Sequence, residues 1–363
     1  MMMREQRTLS RVLRFHGIGL HSGRIAGIKL LPVLRPNYGI WLRRVDIPHA
    51  LPIEASWRNV VAAPLCTVLG DWDAIRRKNE RQASQSPCEM LDAAIAKRAN
   101  TVWTVEHLLA ALHAVQLENL IVEVDGCEIP ILDGSSSLFL QALVQNLRDI
   151  PFPSLSAGPV ENKDFCPGPQ ERAKLRVQRS LKVQGRSGQW AELSPPPLAA
   201  QRELQIELVI DFSPPADSGS GTAAPAFEDS EQPFHAAQQH ILVRDAHHVF
   251  AEELSAARTF CLESQLRGLW KQGLARGGSR RNALVFSQKR DDESGAVQLT
   301  LERHQAARFA DEMVRHKALD VMGDLRLAGG ILAATYRASQ PSHALNLALV
   351  EKVFESGANY AVV

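Results

Sequence analysis

Apolar positions in the first half of the chain change period several times, and each change predicts an element. Lys29-Leu30-Leu31 and Ile40-Trp41-Leu42 read as strands, separated by the turn-rich Arg35-Pro36-Asn37-Tyr38-Gly39. Val105, Leu108, Leu109 and Leu112 then fall at i, i+3, i+4 and i+7, which predicts a helix with Thr104 as its N-cap. Leu120 to Val124 returns to a β-rich run. Asp133-Gly134-Ser135 reads as a turn, and Leu138 to Leu147 as a second helix.

The second half repeats this mixture. Leu175 to Leu193 predicts a hairpin around Gly185-Arg186-Ser187-Gly188, and Leu204 to Phe212 a strand with Ile206, Leu208 and Ile210 on one face. Helical periodicity returns near 248–257 and 263–272, and most clearly at 304–322. Strands and helices come in separate runs, so the expected class is α+β rather than a doubly wound sheet.

Between the halves, residues 153–172 contain four prolines among serine, glycine and charge, and are expected to be a linker. The expected organisation is an N-terminal α+β domain over 1–152 and a C-terminal one over 173–363. Insertions are expected near 73–100 and near 213–245; residues 213–233, rich in Pro, Ser, Gly, Ala and acid, read as disordered. The 73–100 stretch reads either as a solvated insertion or as a partner-binding lobe.

Composition narrows the class further. At 363 residues the chain suits two domains of common size, and 45% hydrophobic with 22% charged residues is a globular balance. Lys+Arg at 41 against Asp+Glu at 40 gives no electrostatic case for nucleic acid. Five scattered cysteines, with no CxxC pair, argue against a disulfide framework and against a cysteine zinc site. Met1 to Arg14 lacks the apolar run of a secretory signal, and the longest apolar stretch, Leu327 to Tyr336, is about half a membrane span. A cytoplasmic monomer without a transmembrane segment is expected.

Three segments carry candidate chemistry. In Arg315-His316-Lys317-Ala318-Leu319-Asp320, the histidine and the aspartate are four apart and share one helical face, which Phe309 and Met313 extend inward. An imidazole and a carboxylate at that spacing can reach one metal ion; the alternative is a simple buried His–Asp pair. Glu106-His107 begins a helix. Adjacent helical side chains diverge by about 100°, so one can ligate a metal while the other acts as a base; a capping Glu beside a core His is the alternative. His343, in Pro341-Ser342-His343-Ala344-Leu345-Asn346, lies at a helix start and is a candidate acid or phosphate contact. Thr259 and the Gly277-Gly278 turn are weaker candidates, for oxyanion stabilisation and close backbone approach. The paired His247-His248 is expected on the surface.

Taken together, the segments resemble the UDP-3-O-acyl-N-acetylglucosamine deacetylase family of lipid A biosynthesis, in the family's order along almost the whole chain. The matching stretches are Gln6 to Leu9, Gly17 to Gly23, Leu65-Cys66-Thr67, Thr104 to Leu108, Glu128 to Ser135, Ala257 to Phe260, Gly277-Gly278-Ser279, Val314 to Asp320, Gly323-Asp324-Leu325 and Ser342 to Asn346. The resemblance implies two related domains, each a sheet packed on helices, with the active site between them. It implies zinc held by His107, His316 and Asp320, with Glu106 as general base. His343 would be general acid, oriented by Asp324, and Thr259 would lie near the oxyanion. Lys317 would face the phosphates of an acylated UDP-amino sugar, and Phe260 would line the nucleotide site. The chain departs from the family's pattern in its two insertions, at Arg280-Arg281, at Ser342 where glycine is usual, and over 337–341, where Arg337 is the candidate for a basic residue usual there.

Overall fold

A computed structural model of the protein describes residues 6–62, 65–70, 86–150, 174–200, 203–212, 237–290, 297–302 and 304–363. The expected linker, residues 73–85 of the first expected insertion and residues 213–236 of the second lie outside the described residues. Along the N-terminal half run β1 (Gln6–Leu9), β2 (Leu13–Ile18), β3 (Ile25–Pro32), β4 (Ile40–Arg44), β5 (Ile53–Glu54), β6 (Val60–Ala62), β7 (Val68–Gly70), α1 (Pro87–Ile95), β8 (Thr101–Val102), α2 (Glu106–Ala114), β9 (Leu120–Asp125), α3 (Ser137–Val144) and β10 (Leu147–Ile150). The main sheet has order β2-β3-β9-β4-β5, β6-β7-β8 form a small separate sheet, and β1 pairs β10. In β9, Leu120, Val122 and Val124 are buried and the residues between them are not, the alternation of a sheet with one covered face.

The C-terminal half continues with β11 (Lys174–Val177), β12 (Leu181–Gln184), β13 (Trp190–Ser194), β14 (Leu204–Asp211), β15 (Gln238–Val243), α4 (Ala246–Val249), β16 (Phe260–Leu262), α5 (Glu263–Lys271), β17 (Leu284–Arg290), β18 (Val297–Leu301), α6 (Glu312–Leu325), β19 (Ile331–Ser339), α7 (His343–Phe354) and β20 (Tyr360–Val362). Its seven-stranded sheet is built around β19, which pairs β11 and β14 in parallel and β13 antiparallel. A second, three-stranded sheet has order β16-β17-β18. The architecture is α+β, with sheets covered by helices, as the pattern predicted. No helix among the described residues is long and apolar enough to cross a membrane.

Helices α2 and α6 pack together, α6 also against β14 and β15, and nearly all their residues are buried. Gly323 sets how closely they approach: a Cβ there would collide with the backbone carbonyl of Glu106. Side chains from both helices therefore converge in one place.

Several expectations are corrected. Thr104 does not cap α2. It adopts φ +57 and its hydroxyl is spent on Glu128 Oε1 at 2.8 Å, so the helix starts without a side-chain cap. The helix expected from 304 starts only at Glu312, because the residues before it are claimed elsewhere: Arg308 pairs with Asp133 at 2.8 Å, and Phe309, in the preceding turn, lies under the Arg315 guanidinium. Near 248–257, α4 passes into a π-helical turn at Phe250–Leu254. The helix expected over 138–147 ends at Val144, since Leu147 pairs with Leu9 in β10. Within the expected 213–245 insertion, Gln238–Val243 is a strand paired with β14. Within 73–100, residues 87–95 form a helix whose Leu91 and Ala94 are buried in an apolar cluster. His247 is not a simple surface residue; its ring packs on the fully buried His113 at 4.6 Å.

Candidate metal centre and active site

His107 comes from the first turn of α2, and His316 and Asp320 from successive turns of α6. One ligand atom from each lies within 4.8 Å of the others, and all three residues are buried. His316 Nε2 is 3.4 Å and His107 Nε2 3.8 Å from Asp320 Oδ1. His316 Nδ1 donates to the Ala257 carbonyl at 3.0 Å, which fixes the tautomer with Nε2 bare and facing the group. Asp320 Oδ1 is buried and accepts no hydrogen bond among the described residues. A buried carboxylate oxygen without a donor, facing two bare imidazole nitrogens, fits a divalent cation better than a hydrogen-bonded His–Asp pair. Burial, with the neighbouring His316, lowers the His107 pKa to about 3, so the imidazole is neutral as a ligand must be. Burial opposes ionisation of Asp320, but His316 and Lys317 outweigh it and hold the carboxyl below its usual range.

Beside this group stand a carboxylate and an imidazole with opposed environments. Burial, augmented by Asp320 and Asp324 against the pull of His343, pushes the Glu106 carboxyl up to about 8. Glu106 Oε2 accepts from the Thr67 peptide N–H at 3.0 Å, and Oε1 lies 3.9 Å from His343 Nε2. Burial alone would lower the pKa of His343, yet Asp324, by charge and hydrogen bond, and then Glu106 raise it to about 9. Asp324 accepts from the Thr67 hydroxyl at 2.6 Å, from Asn346 Nδ2 at 2.8 Å and from His343 Nδ1 at 2.8 Å. The Tyr336 hydroxyl donates to Asn346 Oδ1 at 2.6 Å and orients that amide.

The predicted residues come together around one cavity of about 240 Å³. Its lining includes Glu106, His107, Thr259, Phe260, His316, Lys317, Asp320 and His343. The Thr259 peptide N–H donates to the Gly134 carbonyl at 2.8 Å. The Phe260 ring stands edge-on to His316 at 6.2 Å, and Lys317 Nζ lies over Phe260 at 5.9 Å and 3.4 Å from Asp320 Oδ2. Asp324 stays behind the wall, touching the cavity only through His343. Arg337 does not line the cavity and instead pairs with Glu207 at 2.8 Å.

Sequence reasoning had given no role to Thr67, Asn346, Tyr336, His21 or Glu128. Thr67 and Asn346 complete the Asp324 shell. His21 lines the cavity with neither ring nitrogen hydrogen-bonded among the described residues. Glu128, fully buried, accepts from the His21 and Ser22 peptides and the Thr104 hydroxyl, each at 2.8 Å. Thr67, Asn346, His21 and Glu128 lie in the motif-like stretches of the sequence; Tyr336 lies in none of them.

Two imidazoles and a carboxylate, with a further buried carboxylate and imidazole beside them, have the composition of a metal-dependent hydrolase site. Residues 6–355 match the family described as UDP-3-O-acyl N-acetylglycosamine deacetylase, and the chain belongs to that family. It is similar to proteins named UDP-3-O-acyl-N-acetylglucosamine deacetylase. The one from Chromobacterium violaceum is 31% identical over 97% of this chain and 90% of its own length. The one from Myxococcus xanthus is 33% identical over 99% and 89%, and the one from Brucella melitensis 28% over 99% and 98%.

Proposed function

We propose that this chain hydrolyses the acetamide of a UDP-3-O-acyl-N-acetylglucosamine to the free amine and acetate, an early committed step of lipid A biosynthesis, at a zinc centre held by His107, His316 and Asp320. Family membership supports the reaction and the substrate class. The observation that carries the residue assignment is the convergence of three buried ligand atoms within 4.8 Å, next to a buried carboxylate and a buried imidazole whose pKa values are both raised. Residues 1–152 and 173–363 are taken as the two domains, joined by 153–172. The nucleotide-sugar substrate suits a cytoplasmic enzyme, acting as a monomer.

Zinc bound there supplies Lewis acidity toward the amide carbonyl and acidifies water. Glu106, whose Oε2 accepts from the Thr67 peptide N–H, takes the proton of the attacking water when ionised. Thr259 offers a hydroxyl at the oxygen that gains charge. His343, protonated and oriented through Nδ1 by Asp324, gives the Nε2 proton to the departing amine. Lys317 places a cation at the cavity rim for the substrate's phosphates, and Phe260 offers a ring face for the nucleotide.

The deciding experiment is acetate release from the acylated UDP-sugar by zinc-loaded protein, with and without chelator. Chelator-sensitive release is expected. Folded, zinc-bound protein that releases no acetate would refute the assignment.

A further inference from the structure

Helix α1 lies in the stretch where this chain departs from the family's pattern, yet it is firmly built in. Ser86 caps it reciprocally with Glu89, and Pro87 occupies its first turn. At the other end the buried Arg44 donates to the Ala94 carbonyl at 3.2 Å and to the Thr101 carbonyl at 3.1 Å, while the Asp46 carboxylate holds the guanidinium through two bonds of 2.7 Å. Leu91 and Ala94 are fully buried in an apolar cluster separate from the main core, with Cys66, Val68, Trp103 and Cys127. Leu274 enters the same cluster from the C-terminal half.

That contact leads to the cavity. Two residues beyond Leu274, Arg276 reaches back to α1 and pairs with Asp92 at 2.9 Å. Its peptide N–H donates to the His21 carbonyl at 3.3 Å, and the next, from Gly277, to the Leu20 carbonyl at 2.9 Å. Gly277 has no room for a Cβ, which would collide with the Gly19 carbonyl. Leu20 and His21 both line the cavity. The 273–278 segment is thus pinned to α1 on one side and to a wall of the cavity on the other.

We infer that α1 is a positioning brace: through Leu91, Asp92, Leu274 and Arg276 it sets the placement of Leu20 and His21, and so governs substrate binding rather than the chemical step. The inference rests on the deacetylase reading for its kinetic readout. Glu106, His343 and the ligand set are held by hydrogen bonds with Thr67, Asp324, Asn346 and Ala257, none of which is hydrogen-bonded to Asp92 or Arg276 among the described residues, so breaking that pair acts on KM and leaves kcat alone. The Asp92–Arg276 pair is half exposed and contributes little to stability, which makes it a clean handle.

The test uses the full zinc-loaded chain carrying Asp92→Arg, Arg276→Asp, or both. Each single change sets like charges opposite one another. It should raise KM for the acylated UDP-sugar about two- to five-fold, an effect of the size a lost or reversed surface pair can transmit. The kcat and zinc content should stay at the wild-type values, and the double swap should restore KM. Amide hydrogen exchange of the peptide spanning 19–24 should rise in the singles and return in the swap. Wild-type KM and exchange in both singles would overturn the brace, as would a swap that restores neither. An inactive wild type would instead sink the deacetylase reading, while the exchange arm would still decide the brace.

Discussion

Asp324 Oδ2 accepts from His343 Nδ1 at 2.8 Å, and the other oxygen of the same buried carboxylate accepts from the Thr67 hydroxyl at 2.6 Å. The anion behind the imidazole therefore keeps His343 protonated up to about 9. Asp324→Asn removes the charge and keeps the shape. Losing a nearby anion destabilises the imidazolium, so the pKa of His343 falls and the alkaline limb of the kcat/KM profile moves to lower pH. A profile whose alkaline limb stays in place would show that His343 is not the acid tuned by Asp324.

Glu106 is buried beside the proposed ligand set without belonging to it. Glu106→Gln should retain one zinc per chain while kcat falls by about 10²–10⁴, the usual range for loss of a general base. Metal analysis alongside acetate release checks this, and undiminished turnover would remove Glu106 from the mechanism.

His316 is locked by Ala257 with Nε2 turned to Asp320. His316→Ala should therefore lose stoichiometric zinc as well as activity. If the metal content measured after dialysis equals that of wild type, the ligand set is wrong.

Gly323 lies against the Glu106 backbone carbonyl. Alanine is the better helix former by about 1 kcal/mol, yet Gly323→Ala forces α6 away from α2. A net destabilisation of about 1–3 kcal/mol in denaturant unfolding is expected, with weaker zinc binding. A stabilised variant would mean the two helices yield without cost.

His113 is fully buried, and burial together with His247 holds its pKa well below the ordinary 6.5. A group with a depressed folded pKa leaves the unfolded state binding more protons as pH falls. The neutral form's contribution is complete above the unfolded pKa and is lost as pH drops through and below 6.5. Metal-free protein should melt at a lower temperature at pH 5 than at pH 7, and His113→Gln should narrow the gap. An equal gap in the variant would place the acid sensitivity elsewhere.

Local pattern alone located β3, β4, β9, β14 and the body of α2, because β-rich runs bounded by turn residues and the i, i+3, i+4, i+7 spacing are local signals. It failed at the ends of elements, where tertiary partners compete. Thr104 had the right chemistry for a cap, but Glu128 took its hydroxyl. Residues 304–311 carried helical spacing, but Asp133 and the Arg315 stack claimed Arg308 and Phe309 first. Strand Gln238–Val243 was hidden because its place depends on β14, distant in sequence.

At the site, sequence by itself determined the side chains with the right chemistry and the four-residue spacing that puts His316 and Asp320 on one face of a helix. The resemblance assigned their partners. Only the tertiary structure decided that His107 meets them, because the close approach of α2 and α6 depends on a glycine contact between residues more than two hundred positions apart. It likewise decided that the pKa values of Glu106 and His343 are both raised, from different causes. Both are buried, but Asp324 faces the imidazole whereas Glu106 meets further carboxylates, and no local pattern encodes which charges a fold brings together.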